Sequence, residues 1–279
     1  MTRNRKTKSS EAAETTRERA GAPSRTPKVG LLLAGIAIAG AGIAIFSRSG
    51  SRNEMGMPAS GAARGFNVLL VTFDTTRPDH LGCYGAGFAK TPPSTRLSKN
   101  GVRFANAAVT VPLTLPSHTS ILTGKYPYHH GVRTNTGYDV QPSETTLAEC
   151  LKSAGYKTAA FVSCFVLDAR FGLNQGFDVY DFESSEKGNR GPESVFSQRE
   201  ASLTSVRATA WLKDHFKASS GMPFFLWVHY YDPHHPFDSP LTNQPEFAGR
   251  PYDAEIAYAD SQLANVIGEI SNAGGPTER

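Results

Sequence analysis

The sequence predicts an α/β fold: a mostly parallel sheet with helices on both faces. Three observations predict it. Apolar runs of strand length occur along residues 66–279 and are continuous rather than alternating, as in strands buried on both faces. Segments of helical pattern separate these runs, and strand–helix alternation is the signature of such a sheet. Polar residues close the runs, and ligands of open α/β sheets bind beyond the carboxyl ends of strands.

The elements follow in order. Asn67–Phe73 (NVLLVTF) is a buried strand that ends at Asp74. Helices are expected at about 93–100 and 117–123. Pro116 suits a first helical turn, so Thr114 falls just before a helix N-terminus. Unpaired amides and the helix dipole favour an anion there. A hydroxyl at that place is either an ordinary capping group or one aimed at a bound sulfuryl or phosphoryl group. A helix at about 144–154 opens with the capping chemistry of Ser143-Glu-Thr-Thr-Leu and closes at Gly155. Thr158–Ser163 is a second strand, and the polar stretch 183–199 is a surface loop. A helix at about 200–217, the apolar run Phe224–Tyr230 and a helix at about 253–272 complete the pattern. Asp74 and the segment after Tyr230 both lie at strand carboxyl ends.

Charge is distributed unevenly along the 279 residues. Residues 1–28 hold eight Lys and Arg against three Glu, a local charge of +5. The whole chain carries +4, so the body carries −1. That balance gives no general field for nucleic acid, and none is expected as a partner. Cys83, Cys150 and Cys164 form no CxxC pair, which argues against a disulfide scaffold or a structural zinc site, and all three are expected as packing.

Val29–Phe46 is 18 residues without a charge. As a helix it spans about 27 Å, close to the roughly 30 Å of a bilayer's hydrocarbon core. The basic flank precedes it, so residues 1–28 are expected in the cytoplasm and the body outside. An uncleaved anchor and a cleaved signal peptide both fit, and both export the body; the long apolar run and the absence of a nearby cleavage site favour the anchor. Residues 47–66 are rich in Gly, Ser and Ala and form a flexible linker to the domain at 67–279. The expectation is a single-pass membrane protein with its domain in the periplasm or outside the cell.

The motifs NVLLVTFDTTRPDHLGCYG, GVRFANAAVTVPLTLPSHTSILTGKYP, HHGV, GYKTAAFV, WVHYYDPHHPF and YDAEIAYAD resemble the sulfatase branch of the alkaline phosphatase superfamily, over about residues 66–279. The resemblance implies that fold, a divalent metal ion (Ca2+ by family, with Zn2+, Mn2+ or Mg2+ as alternatives), and a sulfate or phosphate ester as substrate. Asp74 matches the first metal-binding carboxylate. The family's second Asp is here Thr75, which weakens that position as a ligand. Thr114 matches the nucleophile and would also face the metal. Sulfatases place Cys or Ser there and oxidise it to formylglycine. Threonine cannot form that aldehyde, because its β-carbon carries a methyl group. Phosphate-handling branches use a Thr hydroxyl, so a phosphodiesterase or phosphotransferase is the alternative reading.

His118 stands where sulfatases put an Arg, and is expected to bind substrate. His234 matches a histidine that contacts the anion or the leaving group. His229, which ends the preceding strand, is expected to bind substrate; a zinc cluster of His229, His234 and His235, or turn histidines without function, are the rival readings. Lys125 either meets the anion or is solvated. Arg77 and Asp79 are expected as a structural pair. Family members continue past YDAEIAYADSQLANVIGEI with a strand carrying Asp-His-Gly and further metal ligands. The sequence ends at Arg279 before that element, so the expectation is the N-terminal part of a catalytic domain with an unpaired sheet edge, or a non-catalytic remnant.

Overall fold

A computed structural model describes residues 61–182, 198–218 and 221–273. The basic tail, the expected anchor at 29–46, most of the linker and residues 183–197 of the expected loop lie outside these residues. Among the described residues, no helix is long and apolar enough to cross a membrane.

Four strands form one sheet: β1 (Val68–Phe73), β2 (Lys157–Phe161), β3 (Val179–Asp181) and β4 (Phe224–Tyr230). Their order is β1-β4-β2-β3, and every pair is parallel. The helices are α1 (Pro92–Asn100), α2 (Thr114–Thr123), the short α3 (Pro127–His130), α4 (Leu147–Ser153), α5 (Ala201–Ala218) and α6 (Pro251–Asn272).

β4 is central, and all seven of its residues are buried. Successive side chains of a strand point to opposite faces. Phe225 and Trp227 therefore enter one core with Leu115 and Leu122 of α2 and Ala148 of α4. Phe224, Leu226, Val228 and Tyr230 enter the other, with Leu212 of α5 and Leu263 and Val266 of α6. Each large side chain buried in this way contributes roughly 1.5–3 kcal/mol. The same alternation turns His229 toward the α2 face.

Four expectations need correction. β1 is an outer strand, and each of its six residues is half-buried rather than buried, because only β4 flanks it among the described strands. The helix expected from residue 144 starts at Leu147. Its cap is Thr146, whose hydroxyl accepts from Glu149 N while the Glu149 carboxylate returns to Thr146 N. Ser143 has no glutamate three residues on, so it cannot close that reciprocal pair. β3 was not expected at all. Arg199, placed in a surface loop by sequence, is 2% exposed. Its guanidinium is bound to Asp181, to Val162 O at 2.9 Å and to Thr204 Oγ1 at 3.1 Å.

Candidate active site

The carboxyl ends of β1, β4 and β2 converge at one place. Asp74 follows β1 and extends the ladder, its N–H donating to Tyr230 O at 2.9 Å. His229 comes from β4 and is fully buried. Ser163 and Cys164 follow β2 and are buried too. Donor atoms of Asp74, Cys164 and His229 lie within 4.8 Å of one another. Cys164 packs in the core as expected and also borders the site. Burial and the nearby Asp74 carboxylate push its thiol well above the ordinary value.

The chain enters α2 at Thr114, which is half-buried. Thr114 Oγ1 donates to Asp74 Oδ2 at 3.0 Å. The anion cradle expected at this helix end is largely taken up. Leu115 N donates to Asn135 Oδ1 at 2.9 Å, Pro116 has no N–H, and Ser117 N donates to Leu113 O at 3.0 Å. What remains is the Thr114 N–H and the helix dipole.

The turn after β1 fixes the direction of Asp74. Thr75 has φ 48°, a left-handed conformation that is uncommon for a β-branched residue. Two neighbours hold it: Thr75 Oγ1 donates to Pro233 O at 2.8 Å, and Thr75 O accepts from Tyr252 Oη of α6 at 2.7 Å. The Thr75 hydroxyl is thus directed at the 233 carbonyl.

The two buried histidines carry their protons on opposite nitrogens. His118 Nδ1 lies 2.7 Å from Thr114 O, and a carbonyl only accepts, so Nδ1 bears the hydrogen. Burial, helped by His229, lowers the His118 pKa to about 4, which leaves Nε2 with a free lone pair at neutral pH. His229 Nδ1 accepts from Ser163 N at 3.3 Å, so its hydrogen is on Nε2. That nitrogen is 3.4 Å from Asp74 Oδ2, long for a hydrogen bond. The rings meet edge to face at 5.0 Å. Both Nε2 atoms are buried and lack a hydrogen-bond partner. Burial alone pushes the Asp74 carboxyl up, but His229, His118 and the Thr114 hydroxyl outweigh it and hold it below its ordinary value.

Other expected residues are placed elsewhere. Lys125 follows the far end of α2, about 15 Å along a ten-residue helix, and pairs with Glu144 at 2.8 Å. His234 stacks on Tyr231 at 4.4 Å, and its Nδ1 lies 2.6 Å from His235 O. Tyr231 is in turn 6.4 Å from His229, so His234 is one ring removed from the cluster. His235 is exposed, and no described metal-ligand group joins His229 to His234 and His235. Arg77 and Asp79 form the expected exposed pair at 2.6 Å. Sequence reasoning missed Cys164, Ser163 and Asn135. For the first two a signal existed: they lie two and three residues past the end of β2, where such folds place ligands.

The donors fit a divalent cation. Asp74 and Thr114 offer hard oxygen atoms, and buried nitrogen without a partner is costly unless something binds it.

The chain is 37% identical to mouse steryl-sulfatase over 112 residues, which is 37% of this chain and 18% of that protein. Two crystal structures share the fold. One is Ps i-CgsB in complex with a neocarrahexaose, at TM-score 0.63 and 18% identity, covering 76% of this chain and 56% of that one. The other is the phosphonate monoester hydrolase of Agrobacterium radiobacter, at TM-score 0.57 and 18% identity, covering 76% and 60%. The chain thus spans less than two thirds of the relatives it matches. The Sulfatase family model matches residues 66–277, and with the strand-end site just described, the chain belongs to the sulfatase family.

Proposed function

We propose that the protein is an exported, membrane-anchored hydrolase that cleaves a sulfate or phosphate ester with metal assistance, Thr114 being the attacking group. One observation carries the reading: a half-buried Thr114 hydroxyl at a helix N-terminus donates to a buried carboxylate at 3.0 Å. Asp74 and Thr114 would hold the cation, whose chemistry is to neutralise the ester oxygens and acidify a bound hydroxyl. Thr114 Oγ1 passes its proton to Asp74 Oδ2 and forms a bond to sulfur or phosphorus as the ester oxygen departs. The Nε2–H of His229 faces Asp74 and restrains it. His234, the histidine that the resemblance matches to the leaving group, would have to leave its stack on Tyr231 to reach that oxygen, which otherwise takes its proton from water. Export rests on the basic residues 1–28 and the apolar segment 29–46.

Threonine favours phosphate over sulfate as the second reading. A sulfo-threonine has no aldehyde hydrate to expel it, whereas phosphorylated threonine is opened by water, and the greater charge of phosphate gains more from a cation. Paired assays with nitrophenyl sulfate and nitrophenyl phosphates, with and without chelator, test both readings. Metal-dependent turnover lost in Thr114→Ala supports the hydrolase. Turnover unaffected by chelator and by Thr114→Ala overturns it, and a clear sulfate preference overturns the phosphate reading.

A further inference from the structure

The two histidines are alike in burial and opposite in wiring. A metal-bound imidazole presents a bare nitrogen to the ion and donates its other N–H to a carbonyl or carboxylate, which fixes the tautomer and raises the basicity of the ligating atom. His118 has this arrangement before any ion is considered. Its Nδ1 donates to Thr114 O at 2.7 Å, and its Nε2 is bare, buried and partnerless. The residue is 6% exposed, so water does not readily serve that lone pair. His229 has the reverse arrangement: its Nδ1 takes the Ser163 N–H, so its Nε2 already holds a hydrogen and has no lone pair to give.

His118 lies four residues after Thr114 on α2, and side chains four apart share one helical face. A hydroxyl and an imidazole one turn apart on a helix can converge on one ion, as paired histidines at that spacing do in other metal sites. The ring cannot swing freely. It packs against Trp227 at 5.6 Å and His229 at 5.0 Å, and its Nδ1 is tied to the backbone.

We propose that His118, through Nε2, is a ligand of the divalent ion held at Asp74 and Thr114, and that His229 is not. The assignment rests on the metal-assisted reading above. It replaces the substrate contact expected at position 118 with metal ligation, and leaves His229 as an N–H donor toward Asp74. An ion with one nitrogen ligand and hard oxygens is the preference of Mn2+ or Zn2+ rather than Ca2+.

The test measures Mn2+ binding to the full chain, without reference to activity, by titration and by pulsed EPR for a coordinated imidazole nitrogen. His118→Asn keeps an N–H where Nδ1 donates to Thr114 O and removes the Nε2 lone pair. His229→Gln keeps an N–H near the Nε2 position. The expected result is a nitrogen coupling in the wild type, kept in His229→Gln and absent in His118→Asn, whose Mn2+ affinity falls at least about tenfold. Should His118→Asn fail to fold, 15N NMR of histidine-labelled wild-type chain during a Zn2+ titration answers the same question. The bare Nε2 resonance then shifts, while the ring absent from the His229→Gln spectrum keeps its Nε2–H. Metal binding with a nitrogen signal untouched in His118→Asn overturns the assignment alone, as does loss of that signal in His229→Gln. No Mn2+ or Zn2+ binding by the wild-type chain overturns both the assignment and the metal-assisted reading.

Discussion

Gly176 is the point at which a single methyl group should cost the most. Its φ is +85°, and a Cβ built there falls 2.2 Å from Glu149 N, 2.6 Å from Ala148 C and 2.7 Å from Glu149 Cα. All three are backbone atoms at the start of α4, which the Thr146 cap holds in place. An alanine must therefore push residues 172–178 away by the best part of an ångström. Two hydrogen bonds are at stake: Thr146 Oγ1 to Gln175 O at 3.0 Å and Thr158 Oγ1 to Gly176 O at 2.8 Å. Each is worth about 1 kcal/mol. The left-handed backbone adds about 1–2 kcal/mol for any residue with a Cβ. Gly176→Ala should thus destabilise by about 3–4 kcal/mol. Gly155 supplies the control, with φ +89° and nothing within 4 Å of where its Cβ would stand. Gly155→Ala should cost only the backbone share, about 1–2 kcal/mol. Urea unfolding followed by circular dichroism measures both, since the midpoint shift reports stability when the slope is unchanged. Equal midpoint shifts for the two variants would refute the close approach of the 172–178 segment to α4.

Three further outcomes are expected. Removing the buried Arg199 guanidinium by Arg199→Met should lower stability by about 3 kcal/mol, near the low end for a broken buried pair because Arg207 still meets Asp181 at 2.8 Å; a urea midpoint within error of wild type would contradict it. The folded Asp74 carboxyl titrates below its unfolded value, so its stabilising share is present above about pH 4 and fades as pH falls through and below that value. In metal-free protein the midpoint difference between wild type and Asp74→Asn should shrink from pH 7 to pH 3, and a difference that grows toward acid would have the wrong sign. A reporter active only outside the cytoplasm, fused after Arg64, should be active; a stable but inactive fusion would place the body on the cytoplasmic side.

The sheet was legible wherever the chain buries both faces of an element. Phe224–Tyr230 is apolar along its length, and its limits match the sequence expectation. β3 left no such trace, because three residues ending in Asp181 are too few to show a period. Ser143 and Thr146 both offered a capping hydroxyl, and Glu149 decided between them through its spacing. Asp74 and Thr114 were legible from their motifs, and the structure joins them by one hydrogen bond. The histidine wiring was not legible. Which ring nitrogen carries the hydrogen depends on the Thr114 carbonyl in one case and the Ser163 amide in the other, and Ser163 is 66 residues from His229. Lys125 shows the opposite failure: a cation close to the motif in sequence is carried away by the length of the helix and claimed by Glu144.

The central claim is that the Thr114 hydroxyl is the atom that attacks. Rapid acid quench of the protein during turnover of a nitrophenyl ester, followed by peptide mass mapping of the segment that contains Thr114, tests it most directly. The account predicts a phosphoryl or sulfuryl adduct on Thr114, formed only with divalent metal present and absent from Asp74→Asn. Turnover that persists in Thr114→Ala, or an adduct on any other residue, would contradict it.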